Sequence, residues 1–140
     1  MHLFVIPNWA YTSYGVAVPL LALWRGGWRE RAVAAPLLVD FVTESLLDLH
    51  PPDWLDMSWG ALILAVCVAC ALRSNRYWTI AASSFAVLRL VTYFLQFVPG
   101  VGLWAYLSAE RVWGILLLSS LLAGVWPPAR PQAPSAATDA

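Results

Sequence analysis

Residues 32–49 read AVAAPLLVDFVTESLLDL, an apolar run of membrane-crossing length that nevertheless carries three acids, Asp40, Glu44 and Asp48. A transmembrane helix needs about 20 mostly apolar residues, with a usable range of roughly 17 to 25. The three acids are spaced i, i+4, i+8, which aligns them along one narrow stripe of a helix, and Thr43 and Ser45 widen the polar sector. Each central acid facing lipid would cost about 2.5–3.5 kcal/mol on insertion scales, so the stripe must face other helices or water. Whether this run crosses a bilayer or lies on its surface decides the architecture.

Four further stretches approach the same length and apolarity: 6–24, 54–72, 77–98 and 101–126. Arg25, Arg29 and Arg31 lie between the first and second stretches, Arg73 and Arg76 between the third and fourth, and Arg130 in the tail. The connections 48–53 and 98–102 contain no arginine. Cytoplasmic loops are enriched in Lys and Arg, and five crossings put all six loop and tail arginines on one face. The expectation is an all-α polytopic bundle over residues 1–126, with the N-terminus outside and the C-terminus cytoplasmic. Were 32–49 on the surface, the two arginine clusters would fall on opposite sides. Tryptophan agrees, since Trp prefers the headgroup boundary: Trp9, Trp24, Trp28, Trp54, Trp78, Trp104 and Trp126 fall at expected helix ends, and only Trp59 and Trp113 lie deeper.

Composition sets the class. Of 140 residues, 61% are hydrophobic and 11% charged, against roughly 25% charged in an average soluble domain. The formal net charge is zero and there is no lysine, so the clustered basic face of a nucleic-acid-binding domain is not expected. The N-terminus lacks the basic region and cleavage site of a secretory signal, so Met1 is expected to begin the mature chain. Residues 127–140, rich in Pro and Ala, read as a disordered cytoplasmic tail.

Depth arithmetic points to a charged centre. At about 1.5 Å per residue, Asp40 is nine residues from Leu49, Arg89 nine from Val98 and Glu110 nine from Val101, each roughly 13 Å from the outer boundary. Arg111 points about 100° away from Glu110 and must find another partner. Two readings stay open. In one, Asp40, Glu44, Asp48, Arg89, Glu110 and Arg111 form a buried ion-pair network that fixes helix order. In the other, the acidic stripe and Arg89 line a watery path that relays protons or binds a cation. Setting Asp40, Glu44 and Glu110 against Arg89 and Arg111 leaves one acid over, and an unpaired acid in a dry site takes up a proton.

Other features carry less. Cys67 and Cys70 form a C-x-x-C, but electron transfer to quinone would need a second pair, and buried Cys is commonly a small hydrophobe. Ala61, Ala65 and Ala69 form a small-residue ridge suited to helix packing, inside the bundle or between copies. His2 and His50 sit at the outer edge, and no metal, cofactor or catalytic motif is present. Pro19 and Pro36 interrupt the first two helices.

The stretch Arg73-Ser-Asn-Arg76-Tyr-Trp, followed by Ala86, Leu88, Thr92, Ala105-Tyr106 and Trp113, resembles a group of small uncharacterised multi-pass inner-membrane proteins of alphaproteobacteria. In that group an R-S-x-R-[YW]-W connection leads into a similar apolar helix pair. The resemblance covers the C-terminal two thirds and departs at Arg89, where a neutral residue is expected. It implies a bacterial inner-membrane location and assigns no functional residue. The expected function is a non-enzymatic structural or accessory membrane protein, without cofactor, associating with itself or another membrane protein. The alternative is a small ion- or proton-coupled transporter or channel subunit.

Overall fold

The computed structural model describes residues 7–45, 53–74, 76–95, 97–100 and 102–126, without the side chains of Asn8, Glu44, Ser45, Asp53 and Leu103. These residues form five helices: α1 (Asn8–Arg25), α2 (Trp28–Ser45), α3 (Asp53–Leu72), α4 (Tyr77–Leu95) and α5 (Leu103–Val125). No strand occurs among them. The tail 127–140 and Asp48 lie outside the described residues.

Local chemistry sets the boundaries. α1 starts after Pro7, whose carbonyl accepts from the amides of Ala10 and Tyr11, and ends where the Gly26 amide donates to Ala22 O at 2.9 Å. Only Gly26-Gly27 separates α1 from α2. The second helix therefore begins at Trp28, four residues before its expected start, because Arg29, Glu30 and Arg31 are good helix formers and nothing but the glycines breaks the chain. α4 stops at Leu95, short of Val98. Pro99 disfavours helical backbone before it, and the Phe97 and Val98 amides close tight turns onto Phe94 O and Leu95 O. Gly100, at φ +92°, turns the chain towards α5 in a conformation that suits glycine. Arg89 thus lies six residues from the end of α4 and Glu110 seven from the start of α5, about 9 and 10 Å, a shallower level than the expected 13 Å.

The helices close a ring. α1 packs on α2, α2 on α3, α3 on α4, α4 on α5 and α5 back on α1, and α2 also touches α5. The core contains Val18 and Ala22 of α1, Val33, Leu37 and Phe41 of α2, Ile63 and Cys67 of α3, Ala82 and Ala86 of α4, and Leu117, Leu118 and Leu121 of α5. Gly15 permits the closest approach: a Cβ there would overlap the Phe41 ring. Helix hydroxyls bond back within their own helices, as Ser83 does to Thr79 O and Thr92 to Leu88 O. Tyr14 Oη and Ser119 Oγ meet at 3.0 Å between α1 and α5.

Three segments, Trp54–Leu72, Tyr77–Leu95 and Trp104–Val125, are long and apolar enough to cross a membrane. Leu62, Ile80, Val87, Val91, Phe94 and Val112 are exposed on their outer sides, as a lipid-facing surface would be. α1 and α2 are more polar, but α2 touches three other helices and turns Glu30 and Asp40 inward.

One expectation needs correction. Six of the seven helix-end tryptophans are exposed, but Trp78 is buried, seated against Gly124 of α5. Its neighbour Tyr77 takes the outward direction, at 90% exposure. The sequence leaves two places open for the Ala61, Ala65, Ala69 ridge, inside the bundle or between copies, and the structure turns it away from the bundle interior. It is exposed, because α3 turns Ile63, Cys67 and Cys70 inward instead. Both cysteines are free and buried, and they fill core volume as small hydrophobes.

Candidate functional site

Asp40 is carried on the inward face of α2, one turn after Pro36. The Trp59 indole N–H donates to Pro36 O at 3.3 Å and ties α3 to α2 at this level. From the far side of the ring comes Arg89, almost wholly buried on α4. Its Nη2 lies 2.8 Å from Asp40 Oδ2 and 3.6 Å from Glu110 Oε1 on α5. No Cα of α2 comes within 8 Å of α4 among the described residues. The Arg89 stem therefore spans the interior, and a shorter cation would not reach Asp40.

The centre is buried: side-chain exposure is 5% for Arg89, 8% for Asp40 and 15% for Glu110. Its contacts are charge contacts, not the aligned fork of a bidentate pair. Asp40 Oδ2 and Arg89 Nε lack a hydrogen-bond partner among the described residues. One guanidinium faces two carboxylates, and a third acid, Asp56 of α3, lies within electrostatic range of Glu110. Tyr93, one turn after Arg89, is buried, and its ring centroid lies 6.4 Å from that of Tyr106, one turn before Glu110. Arg111 points elsewhere, its Cζ 5.8 Å from the ring centroid of Tyr11 on α1. Tyr11 in turn packs on Phe41 at 5.2 Å.

Of the six charged residues singled out in the sequence, the structure brings Asp40, Arg89 and Glu110 together and sends Arg111 to α1. The Glu44 side chain and all of Asp48 lie outside the described residues. Asp56, Tyr11, Tyr93 and Trp59 were not singled out at this centre. Tyr93 and Tyr106 were findable, since each sits four residues from a central charge. Asp56 lies close to a helix end, where an acid ordinarily meets water and gives no signal.

A second polar cluster joins the connections at the other end of the bundle. Arg29 Nη2 donates to Arg73 O at 3.1 Å and Nη1 to Ser74 Oγ at 3.4 Å. Ser74 Oγ also accepts from the Arg76 amide, and Arg76 Nη1 pairs with Glu30 Oε1 at 3.3 Å. Glu30 is buried and folds back over the Gly26-Gly27 turn. In sequence it reads as one acid among loop arginines, and the early start of α2 is what aims it inward.

Chemically, the central site can hold three helices in register, and it can take up a proton on its excess acid. Among the described residues no group of His, Cys, Asp or Glu side chains is placed to hold a metal ion. No protein-family model, no curated protein and no solved structure matches the chain.

Proposed function

We propose that the chain is a bacterial inner-membrane protein that crosses the bilayer five times, with its N-terminus outside and its C-terminus cytoplasmic. It acts as a structural or accessory component without catalysis. The observation that carries this reading is Arg89, enclosed between Asp40 and Glu110 with side-chain exposures of 5, 8 and 15%. A buried charge pair of this kind fixes which helices meet and at what height. Two further features support it: the arginine-bearing turns meet at one end, as the positive-inside rule requires of five spans, and the helices turn apolar side chains outward. The resemblance to small alphaproteobacterial membrane proteins supports the bacterial location. Its partner is a second copy or another membrane protein, for which the exposed Ala61, Ala65, Ala69 ridge offers a close-approach face.

The acid surplus favours one second reading, a small proton-coupled transporter or channel subunit. Asp40 and Glu110 share a single guanidinium, Asp56 lies within electrostatic range of Glu110, and the surplus acid would be the titrating group.

Full-length protein in proteoliposomes separates the two. Under an imposed pH gradient, the structural reading expects no proton flux above empty vesicles. It also expects Asp40→Leu, Arg89→Met and Glu110→Met in combination to insert and remain folded. Proton flux by the native chain that this triple variant abolishes while still inserting would overturn the structural reading in favour of transport.

A further inference from the structure

We infer that the arginine-rich end of the bundle is a binding face for the phosphate headgroups of anionic phospholipids, an inference that rests on the membrane-spanning reading above. Residues 25–31 and 73–76 bring five arginines together against one acid, Glu30. The contacts between these two connections are direct: Arg29 donates to Arg73 O, and Arg76 pairs with Glu30. They divide the arginines into two groups.

Arg29 and Arg76 are spent within the molecule, clasping the two turns together. In doing so they take up Glu30, which is 4% exposed and offers its charge to nothing outside. The remaining three, Arg25, Arg31 and Arg73, are exposed. Arg31 and Arg73 make no ion pair with any described acid, and Arg25 only stacks over the Trp126 ring, its Cζ 5.7 Å from the centroid. The clasp thus neutralises its own acid and leaves a positive surplus pointing outward. Every cation here is an arginine, whose planar fork suits phosphate oxygens better than the point charge of lysine does.

The surroundings fix the depth of this face. Trp24, Trp28, Tyr77 and Trp126 are each at least 60% exposed at the helix ends that carry the arginines. Exposed Trp and Tyr settle at the headgroup boundary. The guanidinium groups therefore lie at the level of the lipid phosphates, not in bulk water. Basic side chains at a cytoplasmic leaflet each contribute roughly fivefold to the preference for anionic lipid.

The test uses the full chain in nanodiscs of phosphatidylcholine with graded phosphatidylglycerol. Retained lipid is read by native mass spectrometry, at low and at high salt. The expected result is selective retention of phosphatidylglycerol, weakened by salt and reduced about tenfold or more by combining Arg25→Gln, Arg31→Gln and Arg73→Gln. The exposed positions leave the Glu30–Arg76 clasp intact, and the native chain alone already decides the matter, since retention proportional to bulk composition would overturn the inference. Inorganic phosphate added to detergent-solubilised protein should leave the melting temperature unchanged. A shift with free phosphate equal to that with phosphatidylglycerol would assign the face to a soluble anion and overturn the lipid source. Carbonate extraction of native membranes isolates the underlying reading: protein that stays in the membrane but selects no lipid sinks the inference alone, whereas protein released by carbonate sinks the spanning reading.

Discussion

Arg89 is the residue on which the interior turns, because its guanidinium is the counter-charge within contact of both Asp40 and Glu110. Removing one member of a buried charge group leaves the others uncompensated, at a cost of about 3–5 kcal/mol, whereas replacing the whole group with apolar side chains of similar size is often neutral. Arg89→Met is accordingly expected to lower thermal stability in detergent sharply, and the triple replacement of Asp40, Arg89 and Glu110 to recover most of the loss. A single variant as stable as the native chain would show that the charges do not hold the bundle. Gly15 gives a second residue-scale test. The Phe41 ring beside it is 2% exposed and enclosed on all sides, so Gly15→Ala is expected to cost about 1–3 kcal/mol through overpacking, read as a drop in melting temperature. Much of this centre was legible in the sequence. Counting residues from the outer ends of three apolar runs put Asp40, Arg89 and Glu110 at a common height, and the 100° between neighbours sent Arg111 away. What a one-dimensional count could not supply was reach: among the described residues no Cα of α2 lies within 8 Å of one of α4, and the arginine stem crosses that gap to Asp40. Trp59, which lies deeper than its fellows, likewise gave no hint that its indole would seek a backbone carbonyl.

At the scale of elements, α2 is the unusual helix. It carries more charged residues than any other helix, yet it touches three neighbours, as only α5 also does, and it turns Glu30 and Asp40 towards them, which is how charge is tolerated in an apolar bundle. Its ties to α3 include the Trp59 indole bond to Pro36 O. Trp59→Phe keeps the ring volume and loses that bond, and is expected to destabilise by about 0.5–1.5 kcal/mol in equilibrium unfolding. At the opposite end, Glu30 holds Arg76, whose side chain is half-exposed at 51%. Solvent weakens that pair, so Glu30→Gln should cost no more than about 1 kcal/mol, while exposing Arg76 to faster modification by an arginine-specific dicarbonyl reagent. Unchanged reactivity of Arg76 would mean that the clasp does not constrain it. The helix ends show where sequence reading loses precision. Pro99-Gly100 marks its turn plainly, but the start of α2 hides within Trp28-Arg29-Glu30-Arg31, where charge suggests a loop and helix propensity wins.

At the scale of the whole molecule, three helices among the described residues meet the length and apolarity needed to cross a membrane unaided, and the question is whether α1 and α2 cross with them. The ring of contacts gives α2 an enclosed place between α1 and α3, and the meeting of the Arg29 and Arg73 connections puts both basic turns at one end. These relations hold together in a bilayer only if the chain returns to the outer side between α2 and α3. The most direct measurement is a topology reporter fused at Pro51, with matched fusions at Gly27 and Gly100 to fix the frame. Five spans predict a periplasmic signal at Pro51 and Gly100 and a cytoplasmic one at Gly27. A cytoplasmic signal at Pro51 would contradict the crossing of α2 and, with it, a charged centre buried within the membrane.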